Sequence, residues 1–129
     1  PERYGVGQAI GDTLGPGGVF RGLRTVPTML DIAADMEELC PDAPLLNYTN
    51  PMAIVCWAVD EATGVDVMGL CHSVQGTIDD IGRYVDVPAD EIEHWVAGIN
   101  HMAWVLSCER DGEDLYPALR AAADDPEVY

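Results

Sequence analysis

The chain contains no lysine, a single phenylalanine and no C-x-x-C pair. Six arginines are its only permanently cationic side chains, set against 23 acidic residues for a formal net charge of -17 over 129 residues. A balance so negative is repelled by phosphate, which argues against nucleic acid and anionic lipid surfaces as partners. The acids are dispersed rather than gathered in a tail, the pattern of a solvated surface. Apolar stretches such as 51–59 fall well short of the roughly 20 residues needed to cross a bilayer, so no membrane span is expected. Cys40, Cys56, Cys71 and Cys108 follow no secretory signal, and free thiols in a reducing cytoplasm are the expectation.

What is present suffices for a core. A hydrophobic content of 48% is ordinary for one globular domain of this length. After the turn-rich run Gly15-Pro16-Gly17-Gly18, the residues Val19, Leu23, Val26, Leu30, Ala33 and Met36 recur at helical spacing, predicting a helix over about 19–39. Pro27 lies inside it and removes a backbone donor, so a kink or a division into two helices is expected there. Residues 45–49 form a short apolar run, and Met52, Val55, Cys56 and Val59 again show helical spacing. Asn50 is placed to cap that helix, with Pro51 as its first residue. A second strand is expected over 65–70, and Val74, Ile78, Ile81 and Tyr84 mark the face of another helix.

The β-α-β-α alternation predicts parallel strands with crossover helices. Beyond Pro88 the texture changes: 95–99 and 102–108 read as two strands flanking Asn100-His101, followed by a loop over 109–114 and a helix over 115–123. The expected architecture is α/β, the end of a Rossmann-type, lactate dehydrogenase-like parallel sheet over 1–87 leading into the start of an α+β second domain over 88–129.

Several short patterns could carry chemistry. Gly5-x-Gly7-x-x-x-Gly11 superficially matches a dinucleotide loop, but only four residues precede it, too few for the strand such a loop must follow. A turn or helix-packing segment is the better reading. Cys71-His72-Ser73 follows the second predicted strand and opens a helix, the strand edge where open α/β sheets bind ligands. A helix N-terminus there would favour the thiolate required for metal ligation. His101 lies between two apolar strands, and a thiolate with an imidazole would suit an open, catalytic divalent-metal site rather than a closed structural zinc. Asn47 and Asn50 present amides at a strand end, able to meet a sugar hydroxyl or a cofactor carboxamide, or simply to form the turn. Residue types alone leave these alternatives open.

Four ordered blocks decide among them: Gly-Asp-Thr-Leu-Gly-Pro-Gly-Gly at 11–18, Asn-Tyr-Thr-Asn-Pro-Met-Ala at 47–53, Gly-Leu-Cys-His-Ser-Val-Gln-Gly-Thr at 69–77, and Ala-Gly-Ile-Asn-His-Met-Ala-Trp at 97–104. Together they resemble glycoside hydrolase family four, in particular its α-galactosidase branch. The resemblance implies NAD and a divalent metal, most readily Mn, as cofactors, with Cys71 and His101 as metal ligands. It implies contact of Asn50 with the sugar, and His72 stands where a catalytic acid would; Asn100 is taken as a second substrate contact and Asn47 as the cofactor contact. The phospho-glycosidase branch carries an acidic residue after the cysteine. His72 departs from that, pointing away from a phosphorylated substrate.

The implied chemistry departs from the usual two-carboxylate scheme of glycoside hydrolysis. Hydride leaves sugar C3 for NAD⁺, the C2 proton becomes acidic, the C1–O bond breaks, water adds at C1 and hydride returns. The resemblance further implies a Gly-rich NAD⁺ loop upstream, a domain supplying the base downstream, and a homo-oligomer of the full-length protein. The segment alone is therefore expected to be inactive. Two other readings are a metal-free, NAD-dependent 2-hydroxyacid dehydrogenase and a noncatalytic assembly module.

Overall fold

The computed structural model describes residues 2–125. The chain divides between Cys71 and His72 into two compact units.

In the first unit, helix α1 (Gly15–Leu39) packs on α2 (Met52–Ala62), and strands β1 (Leu45–Asn47) and β2 (Val67–Gly69) pair in parallel with Leu45 opposite Val67 and Asn47 opposite Gly69. Met29, Ala33, Val55, Val59 and Val65 form the core, with Val26, Leu30, Met36, Leu45 and Val67 packed against it. The helical stripe of α1 is thus buried in its second half only. Val19 and Leu23 stand out to solvent, whereas Gly18 and Gly22 between and before them are buried. A Cβ added at Gly22 would lie 3.3 Å from the Ile54 side chain, so the close approach of the two helices is made at a residue with no side chain.

Two expectations about α1 need correction. The helix starts at Gly15, with Pro16 in its first turn, because proline there forfeits no intrahelical donor. It also runs on through Pro27 rather than dividing in two. Pro27 is exposed, so water can satisfy the carbonyl that loses its donor. The strands are shorter than the apolar runs suggested: β1 ends at Asn47 rather than Thr49, and β2 covers Val67–Gly69 within the expected 65–70.

The second unit opens with α3 (Ser73–Val85), followed by the hairpin β3 (Glu93–Ile99) and β4 (Met102–Arg110), a short edge strand β5 (Glu113–Asp114) and α4 (Tyr116–Ala123). Where a loop was expected over 109–114, β4 continues to Arg110 and pairs with β5. Ile78 and Ile81 of α3 join Ile92, Cys108 and Leu115 in the core, but Tyr84 is 46% exposed. Val105 and Cys108 both face this core although three residues apart, a spacing that strict strand alternation forbids. The register shift between Trp95 and Val96 puts Ser107 opposite the first and Val105 opposite the second, so one extra residue of β4 is accommodated. The sequence-predicted order, a parallel layer followed by an α+β unit, is the order found.

Cys108 is 1% exposed. Burial pushes its thiol above the ordinary range, and the Asp114 carboxylate adds to the rise. The neutral thiol is therefore favoured in the folded state. That contribution is complete below the ordinary thiol pKa and is lost as pH rises through the elevated one. Alkylation by iodoacetamide at mildly alkaline pH should accordingly label exposed Cys40 well before Cys108, as read by peptide mass mapping; equal rates would contradict the burial.

Val59→Ala, at a fully buried position where α2 meets α1, should lower unfolding free energy by about 1.5–3 kcal/mol through lost burial and a residual cavity. Urea titration gives the measurement, and an unchanged midpoint would place Val59 outside the core.

Candidate active site

The carboxyl end of β1 turns on the side chain of Asn47. This residue is 2% exposed, its Oδ1 accepts from Thr49 N–H at 2.9 Å, and its Nδ2 donates to Thr49 carbonyl at 3.2 Å and to Cys56 Sγ at 3.5 Å. Its main-chain carbonyl accepts from Leu70 N–H at 2.9 Å. The amide expected beside the cofactor is therefore occupied with closing a turn and tying it to α2. A buried side chain with every polar atom engaged in this way stabilises chiefly because leaving its partners unpaired is costly.

Asn50 follows three residues on and is half-buried. It does not cap α2. Pro51 is the residue before the helix, its carbonyl accepting from Val55 N–H at 2.9 Å, and the Asn50–Pro51 peptide is cis. The Asn50 side chain turns instead to the segment ahead of α1, where its Nδ2 donates to Asp12 Oδ2 at 3.0 Å. The second oxygen of that carboxylate accepts from Thr13 Oγ1 at 3.1 Å. Sequence reasoning missed Asp12. The only trace of it was its place in the first block, because no local periodicity links positions 38 apart.

Cys71 is half-buried just beyond β2, and its thiol is not in a disulfide. His72 is exposed and stands at the N-cap of α3 without a side-chain capping bond, its carbonyl accepting from Gly76 N–H. In the second unit, Asn100 and His101 form the tip between β3 and β4, closed by the pair Ile99 and Met102. His101 holds a left-handed backbone, φ 62°, and is half-buried. Non-glycine residues adopt that conformation at a cost, most readily when short and polar. Gly98 has φ 143°, and a Cβ there would sit 2.4 Å from the Met102 carbonyl oxygen, so the hairpin tip requires glycine. Asn100 Oδ1 is buried and accepts no hydrogen bond from the described residues. Buried acceptors are normally paired, so this one marks a place for a donor.

Among the described residues, no group of three or more His, Cys, Asp and Glu side chains gathers as a ready metal cage. A thiolate and an imidazole as donors, with the remaining positions open to substrate oxygens, suit a catalytic divalent ion of borderline softness. No helix among the described residues is long and apolar enough to cross a membrane.

Removing the Asn47 side chain should destabilise the protein without any cofactor in play. We expect Asn47→Ala to cost about 1–3 kcal/mol in urea unfolding, since Thr49 N–H and the Cys56 side chain lose their partner. An unchanged midpoint would return the amide to a purely ligand-binding role.

Comparison with known proteins places the chain. The model of family 4 glycosyl hydrolases matches residues 1–87, and that of the family 4 glycosyl hydrolase C-terminal domain matches residues 96–128. An α-galactosidase of Bacillus subtilis is 53% identical over 123 residues, covering 95% of this chain and 28% of that relative. The solved 6-phospho-α-glucosidase from gut microorganisms in complex with NAD and Mn2+ is 27% identical, with a TM-score of 0.80 over 91% of this chain and 27% of its own length. Lactate dehydrogenase of Eimeria maxima, solved with NADH and oxamate, shares the fold alone, at 19% identity and a TM-score of 0.64 over 81% of this chain and 34% of that one. The fold class is thereby the expected one, a Rossmann-like parallel layer followed by an antiparallel sheet. The chain spans about 28% of the length of the curated α-galactosidase it matches, and it belongs to glycosyl hydrolase family 4.

Proposed function

We propose that the full-length protein hydrolyses α-galactosides or closely related unphosphorylated α-glycosides with NAD⁺ and a divalent metal, most readily Mn²⁺. The observation carrying this reading is the 53% identity with an α-galactosidase across nearly the whole segment, above the 42% with a probable 6-phospho-β-glucosidase of the same organism. His72 agrees with it: an exposed imidazole follows Cys71 in the chain, where the phospho branch has an acid. The 2-hydroxyacid dehydrogenase reading has only a fold likeness behind it.

Cys71 and His101 would hold the metal, and Asn50 and Asn100 would read sugar hydroxyls. When bound, NAD⁺ supplies the hydride acceptor for C3 and the metal supplies the Lewis acid that makes the C2 proton labile. The chain's own contribution is placement. The half-buried thiol of Cys71 lies at the carboxyl edge of β2, where open α/β sheets receive ligands. The unpaired Asn100 Oδ1 can accept a hydrogen bond from a sugar hydroxyl. His72, free of a capping bond, is available to hold a proton near the leaving group. Asn47, whose amide shapes this edge from within, is assigned to the cofactor side of it. We assign 1–87 to the NAD-binding domain and 88–129 to the start of the substrate- and metal-binding domain. None of the four cysteines is in a disulfide among the described residues, in keeping with a cytoplasmic enzyme. The exposed Val19, Phe20, Leu23, Trp95 and Trp104 fit a homo-oligomer.

In the full-length protein stripped by chelator, hydrolysis of an activated α-galactoside should return only with both Mn²⁺ and NAD⁺. Cys71→Ser and His101→Ala should each lower metal-dependent turnover by more than about 100-fold, the upper range for loss of mere supporting contacts. Full activity without added metal, or in either variant, would sink the assignment. Preference for a 6-phospho-glucoside or an α-galacturonide over the galactoside would correct the substrate.

A further inference from the structure

Asp12 and Asn50 lie 38 positions apart, yet Asn50 Nδ2 donates to Asp12 Oδ2 at 3.0 Å. Asp12 is in the turn ahead of α1, and Asn50 is in the turn between β1 and α2, both within the first unit. Asp12 is exposed and Asn50 half-buried, so the bond is a minor contributor to stability. Its chemistry, however, has a direction. An ionised carboxylate only accepts, whereas an amide donates at one end and accepts at the other. Only the nitrogen end of Asn50 can face Asp12. The oxygen end is then turned away from the carboxylate. Thr13 Oγ1 donates to the other carboxylate oxygen, restraining rotation of the acceptor that does the sorting.

We infer that Asp12 is a positioning residue, which holds the Asn50 amide so that Oδ1 is offered to the substrate as an acceptor and the sugar hydroxyl it meets must be a donor. The inference rests on the glycosidase reading of Asn50 and adds polarity to it. An amide free to rotate reads hydroxyl and ether oxygen alike; one pinned by a carboxylate discriminates. Fluorine in place of a hydroxyl accepts weakly and cannot donate, so it tests this polarity without changing the shape of the ring.

The test uses the full-length protein with Asp12→Asn, Asp12→Glu, Asn50→Ala and the double variant Asp12→Asn/Asn50→Ala. Asp12→Asn should raise KM for an α-galactoside by about tenfold with a smaller change in kcat, the loss of one charge-assisted bond. Asn50→Ala should add little in that background, and Asp12→Glu should recover part of the loss. Among monofluorinated galactoses, one should bind the native protein poorly, and Asp12→Asn should narrow that discrimination. Losses that multiply in the double variant, or discrimination that Asp12→Asn leaves intact, would overturn the positioning role. Selective ¹⁵N labelling of asparagine supplies a readout independent of turnover, since the Asn50 side-chain amide protons should shift on Asp12→Asn with unfolding unchanged. No shift overturns the inference. A native protein that shows the shift but cleaves no glycoside with NAD⁺ and Mn²⁺ would overturn the glycosidase reading instead, and with it the substrate role of the pair.

Discussion

A single buried amide organises the strand edge on which the candidate residues of the first unit depend. Asn47 closes the turn onto Thr49, reaches Cys56 on α2, and through its carbonyl holds Leu70, the neighbour of Cys71. Three directions are thereby tied to one side chain: where β1 stops, how α2 leaves it, and where the chain emerges from β2. Asn50 and Cys71 are each reached within a few residues of these anchor points. A leucine of similar size would fill the volume but leave the turn's donors and acceptors unpaired in a water-poor place, which is the costlier error. Specificity of placement here comes from polar satisfaction rather than from apolar packing.

The two units show different relations between pattern and burial. The second half of α1 and the apolar face of α2 are buried because each has the other, and the parallel strand pair beneath completes the enclosure. The hairpin of the second unit buries less: Trp95, Trp104 and Leu106 are all more than half exposed, although the strands pair along β3 with one extra residue of β4 accommodated. Backbone pairing, then, determines the hairpin, while side-chain burial on the Cys108 side attaches it to α3 and α4.

The helices, the parallel pair and the hairpin were legible because apolar periodicity and turn residues act locally. What failed to read was settled by contacts between distant positions or by side chains acting on backbone. Thr49 looks like a strand residue until Asn47 Oδ1 captures its N–H. Asn50 looks like a cap, but its amide goes to Asp12. Leu23 and Tyr84 fit their helical stripes and yet are exposed, because periodicity reports a face without saying what covers it. Pro27 promised a divided helix and sits instead on the solvent side, where a lost bond is cheap. Of the candidate site, residue identities are legible in four motif blocks; the occupation of Asn47, the pairing of Asn50 and the orphaned oxygen of Asn100 arise only in the folded chain.

The register shift between β3 and β4 lets two side chains at an odd spacing share one face. Because Val105 and Cys108 both face the core across an odd spacing, β4 carries a change of phase within its length, and inside and outside swap parity at that point. A deletion of one residue between them would not merely shorten a strand. It would restore strict alternation, with Val105 and Cys108 two residues apart and both still facing the core, and the irregularity opposite Trp95 and Val96 would vanish. The extra residue of β4 is therefore not what buries these two side chains; what it adds is a local bend and a stronger twist in the strand on its way from the Asn100–His101 tip.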